Sequence, residues 1–349
     1  MDLTRAHSLS DLNETTTDVT LFVEMPSDVR GQLQGYKPAD GNDDTAEFLK
    51  QVFRYLPSDG KSHLADDLLQ CHSDDNIRQL AQNIESGLLV PIKAAGAKTA
   101  TITPSPRIGL EESIENLGST IDSSMVRKQK ELRERCSRRD GDMCVISGVF
   151  DSDKDAPPGK ETADLEAAHI IPFCLASFKD PAEQRYITSV WNTMYRYFPG
   201  IRSRIAFEYQ SIDEARNAMM LVSIIHRQFG KFNIALEATG VPSQYRVKTF
   251  PRLPTTIRWY LPKNGIVNLI THDGREELPS PLLLQVHAAI ANILHATGRA
   301  EAINKALQDY DDISVLARSG ATNIARLLAV SRLPSLAIAS PNANRPSKT

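Results

Sequence analysis

Three residues, His169, Asn217 and His226, have side chains and spacing suited to chemistry. A histidine titrates near neutral pH, with a pKa near ~6.5, so it can accept a proton or bind a metal. Eight residues separate Asn217 from His226. Each residue also has a simpler interpretation: a half-buried strand histidine, a turn or cap asparagine, and a histidine that packs beside Phe229.

Four strings surround these residues in a fixed order. They are CVISG (144–148), EAAHIIPF (166–173), NAMML (217–221) and LPSPLLLQVH (278–287). Together they resemble the HNH nuclease family, and most closely the HNH-domain proteins that are numerous in fungi. The resemblance covers roughly residues 135–300, about half of the chain.

The resemblance implies a role for each residue in phosphodiester hydrolysis. His169 is the general base that activates water, and Asn217 orients the loop behind it. His226 lies on the following helix and binds a divalent metal ion, Mg²⁺, Mn²⁺ or Zn²⁺. The metal would neutralise charge on the scissile phosphate.

Two departures from the family pattern concern the metal. Many family members have a carboxylate or a histidine directly before the base, where this chain has Ala168. Glu166 is on the same strand face and is the substitute ligand that we predict, although strand rise places its Cα roughly 6–7 Å from that of Ala168. The residues after His226, RQFG (227–230), include no good ligand.

The charge distribution favours contact with nucleic acid. Residues 1–90 carry 7 Lys/Arg and 16 Asp/Glu, whereas residues 185–270 carry 12 Lys/Arg and 4 Asp/Glu. Because phosphate contacts supply sequence-independent affinity, basic side chains in the second stretch are candidates to bind the backbone. They can equally form a solvated face. The candidates are Arg196, Arg202, Arg204, Arg227 and Lys231.

The hydrophobic pattern predicts an α+β protein with a central ββα-metal, HNH-like module embedded in a mostly helical chain. Helices are expected at 46–56, 64–69, 77–89, 111–139, 182–198 and from Pro281. Strands are expected at 143–146, 165–172, 218–225 (leading into a helix), 233–236, 245–250 and 256–261.

The predicted divisions are a flexible terminus (1–40), an acidic helical region with a linker at 91–106 (41–105), a long polar and basic helix (106–139), the HNH-like module with a helical insert (140–265), a helical part (266–333) and a disordered tail (334–349). Both end segments are expected to be dispensable for any core activity.

The sequence also excludes several classes of protein. None of the 349 residues lies in an apolar run of the ~18–20 residues that a membrane span needs, and the first 20 residues lack the apolar core of a secretory signal. Four cysteines without a CxxC pair indicate neither a disulfide framework nor a zinc ribbon. We therefore expect an intracellular protein, cytoplasmic or nuclear, without a membrane partner.

Three functions remain open at this stage. The first is a metal-dependent endonuclease that acts on DNA in preference to RNA. The second is a catalytically degenerate HNH module that binds nucleic acid or protein. The third is a protein-interaction scaffold that docks through the acidic N-terminal region; the sequence names no protein partner.

Overall fold

The computed structural model describes residues 25–94, 129–176, 178 and 180–305. Helices and small sheets alternate along this part of the chain, as predicted for an α+β protein. The helices are α1 (Ser27–Gly35), α2 (Thr45–Tyr55), α3 (Ser58–Leu69), α4 (Asp74–Ile84), α5 (Val90–Lys93), α6 (Gln129–Arg139), α7 (Pro181–Tyr197), α8 (Gly200–Ser203), α9 (Ser223–Gly230) and α10 (Pro281–Ala296). The strands are β1 (Phe150–Asp151), β2 (Thr162–Ala163), β3 (Leu165–His169), β4 (Ala218–Val222), β5 (Ile234–Ala238), β6 (Gln244–Thr249) and β7 (Ile266–Asn268).

Helix α1 lies within the segment that the sequence predicts to be flexible. Val29 and Leu33, one helical turn apart, are both buried, and Met25 and Tyr36 flank them in the same core. The expectation of a flexible terminus is therefore wrong for residues 25–36. A stripe of two apolar residues in a short polar helix is too weak a periodic signal to predict it. Residues 1–24 and 334–349 lie outside the described part of the chain.

The strand, strand, helix order predicted around the three chemical residues is present. Strands β3 and β4 pair antiparallel, with Leu165 opposite Val222 and His169 opposite Ala218. All five residues of β4 are buried in the core beside β3. Helix α9 begins at Ser223, directly after β4 ends, and packs back on both strands.

A second, three-stranded sheet follows in the order β5-β6-β7, with α10 packed on β5. Strand β7 pairs with β6, and Arg246 lies opposite Ile266. The predicted boundary between residues 265 and 266 would therefore cut a sheet. The strand predicted at 256–261 is wrong: residues Thr255–Tyr260 form a 3₁₀ helix in which Ile257 alone is buried.

Other predicted elements have mixed outcomes. The helices predicted at 46–56, 182–198 and from Pro281 are confirmed, and so are the strands predicted within 165–172 and 218–225. Residues 143–146 contain only an isolated bridge between Met143 and Phe150, which leads into a turn. The long helix predicted at 111–139 is present from Gln129, and its first part lies outside the described residues. The predicted linker begins inside α5, where Pro91 and Ile92 are buried, and continues outside the described residues.

Arg139, at the end of α6, connects the helix to the site. Its side chain is fully buried, and every guanidinium N–H is used. Two bonds of 2.7 and 2.9 Å reach the Asp140 carboxylate, and three more reach the carbonyl oxygens of Ala215, Ala218 and Glu277. Because Ala215 and Ala218 flank Asn217, this arginine fixes the backbone that carries the asparagine.

The described residues share one hydrophobic core that extends from α1 to the residues after α10. The acidic helical region therefore packs with the HNH-like module instead of forming a separate unit. Within the described residues no helix is long and apolar enough to cross a membrane.

Candidate functional site

His169 is the last residue of β3, and its imidazole faces a carboxylate. Its Nε2 lies 3.0 Å from Oδ1 of Asp213, which ends the 3₁₀ helix Tyr209–Asp213. The two side chains are 10% and 17% exposed, so the pair is largely shielded from water. The ring of Phe173 lies 5.7 Å from the imidazole and covers one side of it. A carboxylate on Nε2 favours the tautomer with its proton there and leaves Nδ1 as the acceptor.

Asn217 connects the segments that carry these two side chains. It is fully buried, and its Oδ1 accepts a hydrogen bond of 2.9 Å from the amide of Ile171. Its Nδ2 donates to the carbonyl oxygens of Ile171, at 3.0 Å, and Ile212, at 2.8 Å. Ile171 lies two residues after His169, and Ile212 directly precedes Asp213. The asparagine therefore holds the loop behind the histidine, as the resemblance implies, and also holds the residue before its carboxylate partner.

His226 faces a second carboxylate, that of Glu166. Its Nδ1 lies 2.5 Å from Oε2, while Ser223 donates its hydroxyl to Oε1 at 3.0 Å. The side chains of His226 and Glu166 are 34% and 52% exposed, so this pair is open to solvent. Partial burial acts to raise the pKa of Glu166, but the hydrogen bonds from His226 and Ser223 outweigh it, and the net pKa lies below its usual value. The carboxylate is thus ionised at neutral pH and available to a cation.

The structure forms two histidine–carboxylate pairs, and each pair has one member on β3. Glu166 and His169 are three residues apart on β3, about 10 Å along the strand. Each histidine has its own carboxylate partner. The prediction that both imidazoles face a single cleft stays a prediction.

The position of the missing ligand is filled by apolar packing. Ala168 is fully buried and lies opposite Met219 on β4. Among the described residues, no group of three or more histidine, cysteine or acidic side chains could hold a metal ion. The Glu166–His226 pair supplies one oxygen and one nitrogen donor. The carboxylate oxygen suits Mg²⁺ or Mn²⁺, and the imidazole nitrogen suits Zn²⁺.

Arg196 pairs with a carboxylate of another helix. Its guanidinium donates to both oxygens of Asp67, at 2.7 and 3.2 Å, and the hydroxyl of Tyr197 donates to the same carboxylate. The side chain of Arg196 is 20% exposed. The pair links α7 to α3, which sequence spacing of 129 residues does not reveal, and the role of Arg196 as a phosphate contact stays a prediction.

The other four predicted cations differ in their surroundings. Arg202 lies 3.6 Å from Glu208, and Arg204 lies 3.1 Å from Asp59, so both already face carboxylates. Arg227 and Lys231 are exposed on and just after α9, and neither has an ion-pair partner among the described residues. The basic residues best placed near the site are therefore those of α9.

Sequence reasoning missed Asp213 and Ser223. Asp213 is one of only four acidic residues between positions 185 and 270, which marks it as unusual but does not show that it reaches His169 across 44 positions. Ser223 is the first residue of α9, where a serine is normally interpreted as a helix start. Cys144 is buried and free, and so are the other three cysteines.

Comparison with known proteins gives one match. Residues 144–237, about a quarter of the chain, match the family model described as HNH endonuclease. No curated protein matches the chain, and no solved structure matches it. The matched segment begins at Cys144, contains both histidine–carboxylate pairs and the asparagine, and ends in β5.

Proposed function

Because this chain is an HNH nuclease domain-containing protein, we propose that it is a metal-dependent endonuclease that hydrolyses phosphodiester bonds in DNA. The observation that carries the proposal is the His169–Asp213 pair. The buried side chain of Asn217 is hydrogen-bonded to Ile171, two residues after His169, and to Ile212, directly before Asp213. An isolated structural histidine needs no such support. A general base does, because its efficiency depends on a fixed orientation towards the water that it activates.

In this proposal His169 accepts the proton of the attacking water at Nδ1. Asp213 keeps the other ring nitrogen protonated and stabilises the imidazolium that forms. Asn217 touches no reacting atom and acts by positioning. Phe173 packs beside the ring.

Glu166 and His226 are the residues that would hold the divalent ion. The ion's chemistry, when bound, is to neutralise charge on the scissile phosphate. The carboxylate oxygen suits Mg²⁺ or Mn²⁺ and the imidazole nitrogen suits Zn²⁺, so the donor set does not select one ion. Arg227 is close enough to Glu166 to help lower its pKa, and in this proposal it contacts the same phosphodiester.

A second candidate function is a degenerate HNH module that binds nucleic acid without cleaving it. The observation that favours it is the buried Ala168, together with a donor set of only two side chains among the described residues. In that case the Glu166–His226 pair is an ion pair on the surface of the ββα unit and does not hold a metal.

A nicking assay separates the two. Purified full-length protein is incubated with supercoiled plasmid and Mg²⁺, Mn²⁺ or Zn²⁺, and with EDTA as the control. The endonuclease proposal expects conversion to nicked or linear DNA that depends on the ion. Salt-sensitive DNA binding without any cleavage of duplex, single-stranded DNA or RNA would favour the degenerate module.

A further inference from the structure

The strongest feature outside the site is an exposed tryptophan close to α9. Trp259 is 85% exposed, more than any other large hydrophobic side chain of the described residues that is on the surface. It lies in the 3₁₀ helix Thr255–Tyr260, which packs against α9, the helix of His226. Leaving an indole in water is unfavourable, because burial of apolar area is the main driving force of folding. Its exposure is explained if the indole contacts a ligand.

The chain segment that contains Trp259 carries charge of one sign. Residues 238–272 contain no Asp or Glu and carry five Lys and Arg. Two of these five are neutralised by acids from other elements: Lys248 by Glu237 at 3.1 Å and Arg252 by Glu301 at 3.1 Å. The remaining three are exposed and have no ion-pair partner in the part of the chain that the structure describes: Arg246, Arg258 and Lys263.

Of these cations, Lys263 lies towards the α9 end of the three-stranded sheet, since the amide of Val247 donates to the carbonyl of nearby Gly265 at 2.8 Å. Arg246 lies opposite Glu237, nearer the hairpin between β5 and β6, and is not part of that end. The amide of Phe250, just before the 3₁₀ helix, donates to the carbonyl of Asn233, just after α9. Arg227 and Lys231 are two further exposed cations, on and just after α9, the helix against which the 3₁₀ helix packs.

From this arrangement we infer that Trp259 and its flanking cations form a binding surface for unpaired DNA, in which the indole stacks on an exposed base. Proteins that bind single strands combine a cationic track for phosphates with aromatic faces for bases. Base pairs inside a duplex offer no free face to stack on, so this surface would select single-stranded, flapped or distorted DNA over intact duplex. The inference deepens the proposed function and rests on it for the choice of nucleic acid.

Tryptophan fluorescence provides a direct test, since the chain has two tryptophans and Trp191 is fully buried. We expect a single-stranded oligonucleotide to quench the emission of the full-length protein, and a matched duplex to quench it much less. Trp259→Phe retains Trp191 and should lose most of the quenching. Trp259→Ala should weaken single-strand binding roughly 5- to 150-fold, measured by anisotropy of a labelled strand.

Controls separate stacking from general effects. Val241→Ala removes a second exposed apolar side chain, 55% exposed, at the opposite end of the sheet, and should leave binding unchanged. The double substitution Arg258→Ala and Lys263→Ala should make binding less sensitive to salt. The slope of log Kobs against log salt concentration should become shallower by about 0.7 for each phosphate that the variant no longer neutralises.

The outcomes also distinguish this inference from the endonuclease proposal. Quenching by single strands without any cleavage would support the surface and contradict the nuclease. Cleavage with unaltered Trp259 fluorescence, or equal binding by Trp259→Ala, would overturn the surface and leave the nuclease standing. Quenching that follows protein concentration alone would indicate that a second copy covers the indole, and would also overturn the inference. Equal quenching by single-stranded RNA would show that the surface recognises the unpaired base and not the sugar. That result would support stacking of the indole on the base.

Discussion

At the scale of single residues, the two histidines differ in what surrounds them. His169 is 10% exposed and supported by a buried asparagine, whereas His226 is 34% exposed and lies beside a carboxylate that is itself half in water. A shielded imidazole with one fixed nitrogen suits proton transfer. An accessible nitrogen and oxygen suit the binding of an ion together with its waters.

We expect Asp213→Asn to reduce cleavage by about 10²-fold, within the ~10²–10⁴-fold range of general base catalysis. Asparagine removes the negative charge that stabilises the imidazolium while it keeps the size of the side chain. The rate constant should fall and the KM for DNA should stay the same, because Asp213 is not placed to contact phosphate. Glu214→Gln, the neighbouring acid paired with Arg216, is the matched control and should change neither. A rise in KM with an unchanged rate would contradict the positioning role.

Glu166→Ala should mimic His226→Ala if the two share a metal ion. Each variant loses one of two protein donors, so calorimetric titration with Mn²⁺ should show binding weakened by a similar factor, of at least about tenfold. Glu161→Ala, an exposed carboxylate on the same segment, is the control. A loss of metal binding in His226→Ala but not in Glu166→Ala would show that Glu166 is only a surface partner of the histidine.

At the scale of elements, Arg139 is the connection between α6, β4 and the segment before α10. Arg139→Met should lower the free energy of unfolding by about 3–5 kcal/mol, because it leaves Asp140 buried without its partner. Urea denaturation followed by circular dichroism measures the change. Arg138→Met is the control on the same helix, since Arg138 is 51% exposed and 3.9 Å from Asp273. A similar, small loss in both variants would contradict this account of α6.

Helices α9 and α10 are joined through a buried histidine. The His287 ring stacks on Phe229 with centroids 3.7 Å apart, packs on Phe232, and contacts the Phe229 carbonyl through Nε2 at 3.1 Å. Burial lowers the pKa of His287 to about 3, and nearby Lys93 acts in the same direction. The folded form is therefore the neutral one.

This low pKa makes stability depend on pH in a defined direction. Its contribution is fully present above the unfolded value of about 6.5, and is lost as the pH falls towards about 3. From about pH 6.5 to about pH 4.5 the free energy of unfolding should fall by up to about 1.4 kcal/mol per pH unit from this group. His287→Asn, compared with the wild type by urea denaturation at several pH values, should show a shallower dependence. Identical slopes would contradict the assignment.

The sequence predicted well those elements that a strong period or a motif marks. The strand at His169, the strand and helix from Ala218, and the helix from Pro281 are all present. The sequence-based prediction failed where tertiary contacts determine the secondary structure. The 3₁₀ helix at 255–260 has β-branched residues but lies between Pro254 and Pro262, and prolines at both ends disfavour a strand ladder.

The site shows the same limit. Asn217 and the Glu166–His226 pairing follow from motif order and strand alternation. The approach of Asp213 to His169 and of Asp67 to Arg196 spans 44 and 129 positions. Contacts of that range depend on how helices pack, which a single sequence does not encode in any local period.

At the scale of the whole molecule, the HNH region is one part of a larger core. Helix α3 packs on α7, and α10 packs on β5, so elements from outside the matched residues 144–237 hold it on two sides. The acidic N-terminal helices are part of that support, and their charges are partly used in ion pairs such as Asp67–Arg196 and Asp59–Arg204. Arg227 and Lys231, which have no ion-pair partner among the described residues, lie on and just after α9, beside the site.

The central claim is that His169 is the general base of a DNA-cleaving site. The most direct measurement compares wild type and His169→Ala in single-turnover cleavage of plasmid DNA with the ion that supports activity, and in DNA affinity under the same salt. The account predicts that cleavage falls by at least about 10²-fold in the variant while affinity changes less than about twofold, because affinity depends on lysine and arginine. Cleavage by His169→Ala at the wild-type rate would contradict it.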